Sequence, residues 1–226
     1  MHSRPRMYLS STPKIIKALA HQMTWSGPVT APSDRPAVYL TFDDGPHPEI
    51  TREVAEILKG HEALATFFCV GANAERHPDV IHELTSAGHV LGNHTQHHNS
   101  GWQTENRAYF RSYLEAARHL PEARQFRPPY GRITRSQAEC IRQRHEIVMW
   151  DVLSRDWEPK LTSRDCLATL QNHTRPGSIV VFHDSEKAAP RMFGALKGYL
   201  AWLDGQGYEV CLLPVKSPQS SEEEEA

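Results

Sequence analysis

Short apolar runs alternate along the chain with longer segments in which apolar residues recur every three or four positions. Seven runs have a composition typical of β-strands, most being rich in Val, Ile, Phe or Tyr: residues 37–42, 65–70, 89–92, 125–127, 146–151, 178–183 and 208–213. Helical spacing occurs between them, for example at Thr51, Val54 and Leu58 and again at Val80 and Leu84. The pattern predicts a strand followed by a helix, repeated along the chain.

Alternating strands and helices are typical of parallel sheets, because a parallel crossover needs a connection about as long as a helix. A doubly wound sheet and a barrel both satisfy this pattern. Polar residues, however, follow the carboxyl ends of several predicted strands: Asp43, Asp44, His94, His98, Arg127, Asp151, Asp156 and His183. A barrel brings such strand ends together around one mouth. We therefore predict an α/β fold, a distorted and incomplete (β/α)7 barrel.

The chain has 226 residues, 39% of them hydrophobic, which suffices for one sizeable core. We expect this folded domain to span residues 37–215. Residues 1–36 are expected to form an N-terminal extension that packs on the barrel, because they contain Trp25 and an apolar face around Ile15, Ile16 and Leu19. Residues 216–226 end in a run of glutamates and offer no large apolar side chain, which predicts a disordered acidic tail.

Charge and hydropathy narrow the classes of partner. The chain has 25 Lys and Arg against 27 Asp and Glu, so no overall field favours nucleic acid, and a neutral or mildly polar substrate is expected. The longest apolar stretch near the N-terminus, residues 15–20, is interrupted by Lys17 and is too short for a leader or a membrane span. We therefore expect a cytoplasmic protein. No heptad or exposed apolar stripe indicates an oligomeric state.

The cysteines fit a reducing compartment. Cys69, Cys140, Cys166 and Cys211 are widely separated and form no Cys-x-x-Cys pair. Three of them lie in apolar stretches, where a free cysteine behaves as a small hydrophobic residue. We interpret the four as buried, reduced thiols.

Two adjacent carboxylates, Asp43 and Asp44, follow the first predicted strand in the motif Thr-Phe-Asp-Asp-Gly-Pro. Neighbouring side chains on an extended backbone point in different directions. One carboxylate can therefore bind a cation while the other faces the space beside it. Asp-Gly-Pro is also common turn chemistry, so this motif alone leaves a plain turn as an equal alternative.

Two histidines, His94 and His98, lie four residues apart. In a helical turn both would share one face, with Cβ atoms roughly 5 to 6 Å apart. That separation suits two imidazoles bound to one metal ion at about 2.0 to 2.1 Å each. A polar, histidine-rich loop is the alternative. With Asp44 as a third ligand, the set is typical of a catalytic metal site that keeps positions for water.

Three further motifs follow later strands. Arg127, in Arg-Pro-Pro-Tyr-Gly, either clamps a carboxylate in a bidentate pair or is a surface arginine in a rigid loop. Two acids, Asp151 and Asp156, stand near Trp157, an indole suited to one face of a sugar. His183 ends a buried strand; such a histidine is often structural, but its position at the predicted mouth favours a role as an acid or base.

Together these five motifs resemble the polysaccharide deacetylases of the NodB-homology type, carbohydrate esterase family 4, over residues 37–215. The resemblance implies a metal-dependent hydrolase that removes acetyl groups from N-acetylated sugars. It implies that Asp44, His94 and His98 bind the metal, usually zinc and sometimes cobalt. It also implies that Asp43 is the catalytic base.

The same resemblance implies roles for the remaining motifs. Arg127 would orient Asp43, and the backbone N–H of Tyr130 would stabilise the oxyanion. His183 would be the general acid, paired with Asp156 in preference to Asp151, and Trp157 would line the groove. One departure concerns the acetyl-methyl pocket: the family commonly has leucine two residues before the acid histidine, whereas this chain has Val181, so the pocket is expected to be slightly wider.

We predict removal of N-acetyl groups from N-acetylglucosamine-containing oligo- or polysaccharides, with release of acetate. Chitin oligomers, peptidoglycan and other glycans remain open as substrates. Two alternatives keep the metal site: an amidohydrolase acting on a small non-sugar amide, and a non-catalytic carbohydrate-binding module with a structural metal. Loss of Asp43 or His183 would mark the second alternative, and both residues are present.

Overall fold

The computed structural model describes residues 10–120 and 122–215, and the predicted tail lies outside them. Within these ranges the strands are β1 (Ala37–Asp43), β2 (Thr66–Cys69), β3 (Val90–Asn93), β4 (Gln125–Phe126), β5 (Glu146–Ile147), β6 (Val152–Leu153), β7 (Ile179–His183) and β8 (Glu209–Val210). The helices are α1 (Lys14–Leu19), α2 (Ile50–Lys59), α3 (Gly71–Arg76), α4 (Pro78–Ser86), α5 (Asn106–His119), α6 (Arg135–Ile141), α7 (Ser163–His173) and α8 (Ala189–Gly205). A single 3₁₀ turn, Pro129–Gly131, follows β4.

The strands form one parallel sheet in the order β5-β4-β3-β2-β1-β7-β6, and β8 pairs with the start of β1. Every paired strand runs parallel to its neighbour. All seven residues of β1 are buried, as expected for a central parallel strand with both faces covered. Phe42 stacks between Phe67 and Phe182 at centroid distances of 5.0 and 5.6 Å. The sheet curls into an open barrel, and the predicted incomplete (β/α)7 fold is confirmed.

The fifth predicted strand is wrong in its extent. Residues 146–151 begin as β5, but the chain then leaves the sheet before β6 begins at Val152. In this gap, the Met149 N–H donates to the Thr24 carbonyl at 2.7 Å, and the Asp151 carbonyl accepts from Thr12 N–H at 3.0 Å. The apolar run continues, but these two hydrogen bonds go to the N-terminal segment, whereas the Val148 N–H donates to the Phe126 carbonyl and the Asp151 N–H to the Ile179 carbonyl. Only Glu146 and Ile147 of the predicted run therefore lie in a strand, and β6 begins directly after the end of that run.

The described part of the N-terminal extension lies along the open side of the barrel, between β5 and β6. Thr24 forms a parallel bridge with Val148, and Ser11 forms an antiparallel bridge with Val152. The Thr24 N–H also donates to the Ile147 carbonyl at 2.8 Å. Backbone groups at a sheet edge need partners, and this segment supplies them where a closed barrel would have another strand.

The apolar face predicted for the extension does not pack on the barrel. Ile15 and Leu19 are 69% and 82% exposed, and α1 buries none of its residues. The segment is held instead by Trp25, which lies in the apolar cluster that includes Phe126, and by an ion pair between Lys17 and Asp151. Backbone pairing with the sheet edges orients the segment, and this leaves the short helix turned outward.

The helices cover the sheet with the predicted apolar positions. Val54 and Leu58 of α2 and Val80 and Leu84 of α4 are buried. None of the helices described is long and apolar enough to cross a membrane. All four cysteines are free. Cys69 and Cys166 are buried and Cys211 is partly so, but Cys140 is exposed on α6, so the interpretation as buried thiols is wrong for Cys140.

Candidate active site

The carboxyl ends of the strands surround an open cleft of about 580 Å³. Most of the polar side chains singled out from the sequence line it, and Arg127 and Asp156 lie buried behind this surface. The lining residues are Asp43, Asp44, His94, His98, Gln103, Tyr130, Arg132, Trp150, Leu153, Trp157, Val181, His183 and Lys187. The fold therefore gathers side chains from distant parts of the chain at one mouth.

The turn after β1 sends its two carboxylates in different directions. Asp43 is the last residue of β1, and Asp44 has a left-handed backbone with φ of 81°. The Asp44 carbonyl accepts from Asn73 Nδ2 at 2.7 Å. The Gly45 N–H donates to Asp184 Oδ1 at 3.0 Å. A Cβ on Gly45 would lie 2.0 Å from Asp184 Oδ2, so only glycine fits there, and the turn is fixed from both sides.

Asp184 was not singled out as a site residue. Its carboxylate is buried and also accepts from the Thr51 hydroxyl at the start of α2. Burial raises the pKa of Asp184 to about 7. The side chain faces the turn behind the cleft, so its contribution is to the position of Gly45. Its place directly after His183 was the only signal in the sequence.

Asp44, His94 and His98 form the only candidate metal-binding group among the residues described, with ligand atoms all within 4.8 Å of one another. Asp44 Oδ1 lies 3.1 Å from His98 Nε2 and 3.9 Å from His94 Nε2. His94 Nδ1 lies 2.7 Å from the Arg127 carbonyl, which can only accept, so Nδ1 carries the proton and the Nε2 lone pair is free.

The surroundings of His94 and Asp44 favour the protonation states in which these two side chains can bind a metal. Burial lowers the pKa of His94 to about 4, so this imidazole is neutral at pH 7. Burial alone would raise the pKa of Asp44, but the hydrogen bond from His98 and the charges of His183 and the other histidines hold it well below its usual range. A neutral His94 imidazole, the Asp44 carboxylate and the His98 imidazole beside them form a set that fits a divalent cation such as zinc.

The helical turn predicted for residues 94–98 is wrong. The segment is a loop in which Thr95 and His98 have left-handed backbones, with φ of 62° and 53°. Its hydrogen bonds go to other elements: Gln96 N–H donates to the Ser112 carbonyl of α5, and the Thr95 carbonyl accepts from Gly71 N–H. The two imidazole rings still converge, with centroids 5.0 Å apart.

Arg127 is fully buried and holds Asp43. Its Nη1 donates to Asp43 Oδ1 at 2.7 Å and to Thr41 Oγ1 at 2.7 Å. Nε and Nη2 donate to the carbonyls of Val148 and Met149 at 3.2 and 2.9 Å. The surface-arginine alternative is therefore wrong. The contact with the carboxylate runs through one nitrogen because the other donors are engaged by backbone carbonyls.

Asp156, and not Asp151, pairs with His183. Its Oδ1 lies 2.8 Å from His183 Nδ1, and its Oδ2 accepts from the His183 backbone N–H at 2.8 Å. Burial alone would lower the pKa of His183, but the charge and hydrogen bond of Asp156 outweigh it and raise the pKa to about 9. Asp151 binds Lys17 and the Ser178 hydroxyl instead.

Aromatic side chains flank both ends of this arrangement. The Tyr130 ring contacts His98 with centroids 4.5 Å apart, and the Trp157 ring contacts His183 at 4.8 Å. Between them, Leu153 and Val181 lie in register on neighbouring strands and give the cleft an apolar floor. Four further lining residues were not singled out from the sequence: Gln103, Arg132, Leu153 and Lys187. Leu153 lies between the two acids of the fourth motif, and the other three lie outside the motifs that carried the resemblance.

A family model described as "Polysaccharide deacetylase" matches residues 30–145. The chain is 36% identical over 156 residues to a chitooligosaccharide deacetylase of Azorhizobium caulinodans, covering 66% of this chain and 73% of that relative. It is 33% identical over 163 residues to a peptidoglycan-N-acetylglucosamine deacetylase of Bacillus cereus, covering 69% of this chain and 58% of the relative.

Solved structures share the fold. The Bc1960 peptidoglycan N-acetylglucosamine deacetylase matches with a TM-score of 0.78 and 30% identity, over 85% of this chain and 91% of that chain. BA3943, a CE4 family pseudoenzyme from Bacillus anthracis, matches with a TM-score of 0.70 and 24% identity, over 77% of this chain and 62% of that one. Because a pseudoenzyme has the same fold, the fold alone does not establish catalytic activity. Any activity depends on the residues that line the cleft.

Proposed function

The chain belongs to the polysaccharide deacetylase family, and on this basis we propose that it is a metal-dependent N-deacetylase of oligo- or polysaccharides that contain N-acetylglucosamine. One observation carries the proposal. A candidate base, Asp43, and a candidate acid, His183, line the same cleft as the Asp44, His94 and His98 group. Each of the two is held by a buried partner of opposite charge.

Asp44, His94 and His98 would hold the metal, and zinc suits two imidazoles and a carboxylate best, with cobalt as an alternative. When bound, a divalent cation polarises the acetyl carbonyl and lowers the pKa of a nearby water. The hydrogen bond from His94 Nδ1 to the Arg127 carbonyl supports this assignment, because it orients Nε2 toward the other two side chains.

Asp43 would take the proton from the attacking water. Its carboxylate is held by Arg127 Nη1 on one oxygen and is nearly buried at 4% exposure, so it is oriented toward the cleft without free rotation. The backbone N–H of Tyr130 would donate to the oxyanion that develops on the acetyl carbonyl. The left-handed backbone of Tyr130, with φ of 60°, supports this role because it sets the direction of the peptide groups in that turn.

His183 would donate the proton that lets the amine leave. Its Nδ1 faces Asp156, which leaves Nε2 for the substrate nitrogen, and its pKa of about 9 keeps the ring protonated at neutral pH. The C–N bond of the acetamide breaks, and acetate and a free amine are released. The apolar floor of Leu153 and Val181 would take the acetyl methyl group, and Trp157 would flank the sugar.

The test is acetate release from N-acetylglucosamine oligomers of several lengths by zinc-loaded or cobalt-loaded protein. We expect release that stops on chelation and returns with metal. Asp43→Asn should lower kcat/KM by about 100- to 10,000-fold, the range expected for loss of a general base. No release from any oligomer by protein that binds metal stoichiometrically would overturn the proposal and favour the small amide or the non-catalytic module.

A further inference from the structure

Beside the candidate metal group, Tyr130 and Arg132 line the cleft, and Trp102 adjoins its rim through contact with the Arg132 guanidinium. Trp102 and Tyr130 are 66% and 62% exposed. The Arg132 Cζ atom lies 5.4 Å from the Trp102 ring centroid and 5.9 Å from the Tyr130 ring centroid. We call these three side chains the rim stack. Large exposed aromatic side chains are unfavourable for folding alone and are typical of binding surfaces.

The rim stack is fixed by hydrogen bonds from the loop that precedes α5. Trp102 Nε1 donates to the Ile133 carbonyl at 3.0 Å, so its indole is held although it faces solvent. Gly101 N–H donates to the Arg132 carbonyl at 2.9 Å. A Cβ on Gly101 would lie 2.6 Å from that oxygen, so glycine permits the close approach of the two loops. A preorganised surface loses little conformational entropy when a ligand binds.

The charge of the rim stack is not balanced within the part of the chain described. The two acids that line the cleft have other partners: Asp43 binds Arg127, and Asp44 contacts His94 and His98. Arg132 takes part in none of the ion pairs formed between described residues. A guanidinium that lines a cleft without a carboxylate partner is suited to bind one supplied by a ligand.

We propose that the rim stack is a subsite for the sugar next to the acetylated residue, and that Arg132 selects glycans in which this neighbouring sugar carries a carboxylate. The inference rests on the proposed function. Tyr130 contacts His98, which makes the subsite adjacent to the reacting group. The indole of Trp102 offers a flat apolar surface to the C–H face of a sugar, while the guanidinium reaches its acidic substituent.

The experiment compares two tetrasaccharides that differ only in charge. In one, N-acetylglucosamine alternates with its 3-O-lactyl ether; in the other, the lactyl carboxylates are methyl esters. For metal-loaded wild-type protein we expect kcat/KM to be about 10-fold higher with the free carboxylate, as one charged hydrogen bond predicts. Arg132→Gln should remove this preference. Trp102→Ala should lower kcat/KM with both glycans by a similar factor and leave their ratio unchanged.

Arg135→Gln is the matched control, because that side chain is 91% exposed, pairs with Glu139 and does not line the cleft. It should leave both kcat/KM values unchanged. The preference should also weaken as salt is added, since the charges lie at an open rim. A preference that survives Arg132→Gln, or no preference in the wild type, would overturn the inference.

Calorimetric titration of metal-loaded Asp43→Asn protein with the same glycans separates this inference from the proposed function, because binding needs no turnover. Tighter binding of the carboxylate form that depends on Arg132, without acetate release by the wild type, would support the subsite and overturn the deacetylase proposal. Acetate release with no effect of Arg132→Gln or Trp102→Ala would do the reverse. Binding of neither glycan would overturn the subsite.

Discussion

Two buried ion pairs stand on either side of the cleft, and they differ in whether the cation can lose its proton. Asp43 faces Arg127, whose guanidinium is wholly buried and also donates to a hydroxyl and two backbone carbonyls. Asp156 faces His183, whose imidazole reaches the cleft and is partly exposed. An arginine keeps its charge at any pH the protein meets, whereas a histidine titrates.

Under the proposed function, this difference suits the first pair to accept a proton and the second pair to donate one. A carboxylate beside a permanent charge stays in one place and in one electrostatic environment, which suits a group that accepts a proton. An imidazole whose pKa is raised to about 9 by its carboxylate is protonated at neutral pH and can still release the proton. Under the proposed function, aspartate would be the reactive group in the first pair and the positioning group in the second.

Arg127→Met should have the largest effect on stability, because it leaves the Asp43 carboxylate buried without its partner. Removing one member of a buried pair typically costs about 3 to 5 kcal/mol. The carbonyls of Val148 and Met149 also lose their donors. We expect a loss in this range in the free energy of unfolding, measured by urea denaturation. Arg135→Met, at an exposed site, should change it by roughly 0.5 kcal/mol or less. Equal effects of the two variants would contradict the assignment.

Asp156→Asn tests the second pair through pH. Asp156 contributes most to raising the pKa of His183 to about 9 against burial, and Asp44 and Asp43 add to the effect, so without the charge of Asp156 the pKa should fall. The alkaline limb of the pH profile of kcat/KM should move to lower pH with it, and activity at pH 8.5 should drop by roughly 10-fold or more while activity at acidic pH changes less. A limb that stays in place would show that His183 is not the titrating acid.

The free energy of unfolding should also depend on pH through His183, and the raised pKa determines the direction of the change. Because the folded-state pKa of His183 is raised, its stabilising contribution is complete below the ordinary value of 6.5 and is lost as the pH rises through about 9. Asp156→Asn should therefore flatten the stability profile over this window. Denaturation curves collected between pH 6 and 10, on wild type and variant, measure the difference directly.

The positions of the strand ends, and the convergence of the polar side chains there, could be predicted because the signal for each lies within a few neighbouring residues. A buried parallel strand reads as an apolar run, and a polar residue directly after it must lie at the mouth. Asp43 and His183 are placed by that rule alone. The general fold was predictable for the same reason, since each strand and helix carries its own periodicity.

The parts that sequence analysis missed depend on partners far away in the chain. The loop around His94 and His98 is shaped by hydrogen bonds to α3 and α5. The sequence does not reveal these bonds, and the four-residue separation of the two histidines is also typical of a helical turn. Residues 146–151 looked like one strand because their bonds to Thr24 and Thr12 have no local signal. The preference for Asp156 over Asp151 as the partner of His183 was correct, but the partner of Asp151 was not predictable, because Lys17 lies more than a hundred residues away from it.

Asp151→Asn should have the smallest effect. It is a matched control for Asp156→Asn, because it makes the same chemical change five residues away. Asp151 binds Lys17 and the Ser178 hydroxyl, and both members of the ion pair are partly exposed. Such a pair contributes about 1 kcal/mol or less. We expect a loss of that size in the free energy of unfolding and an alkaline limb of kcat/KM that does not move. A shift in that limb would mean that the N-terminal segment influences the His183 pair, and that the two acids are not independent.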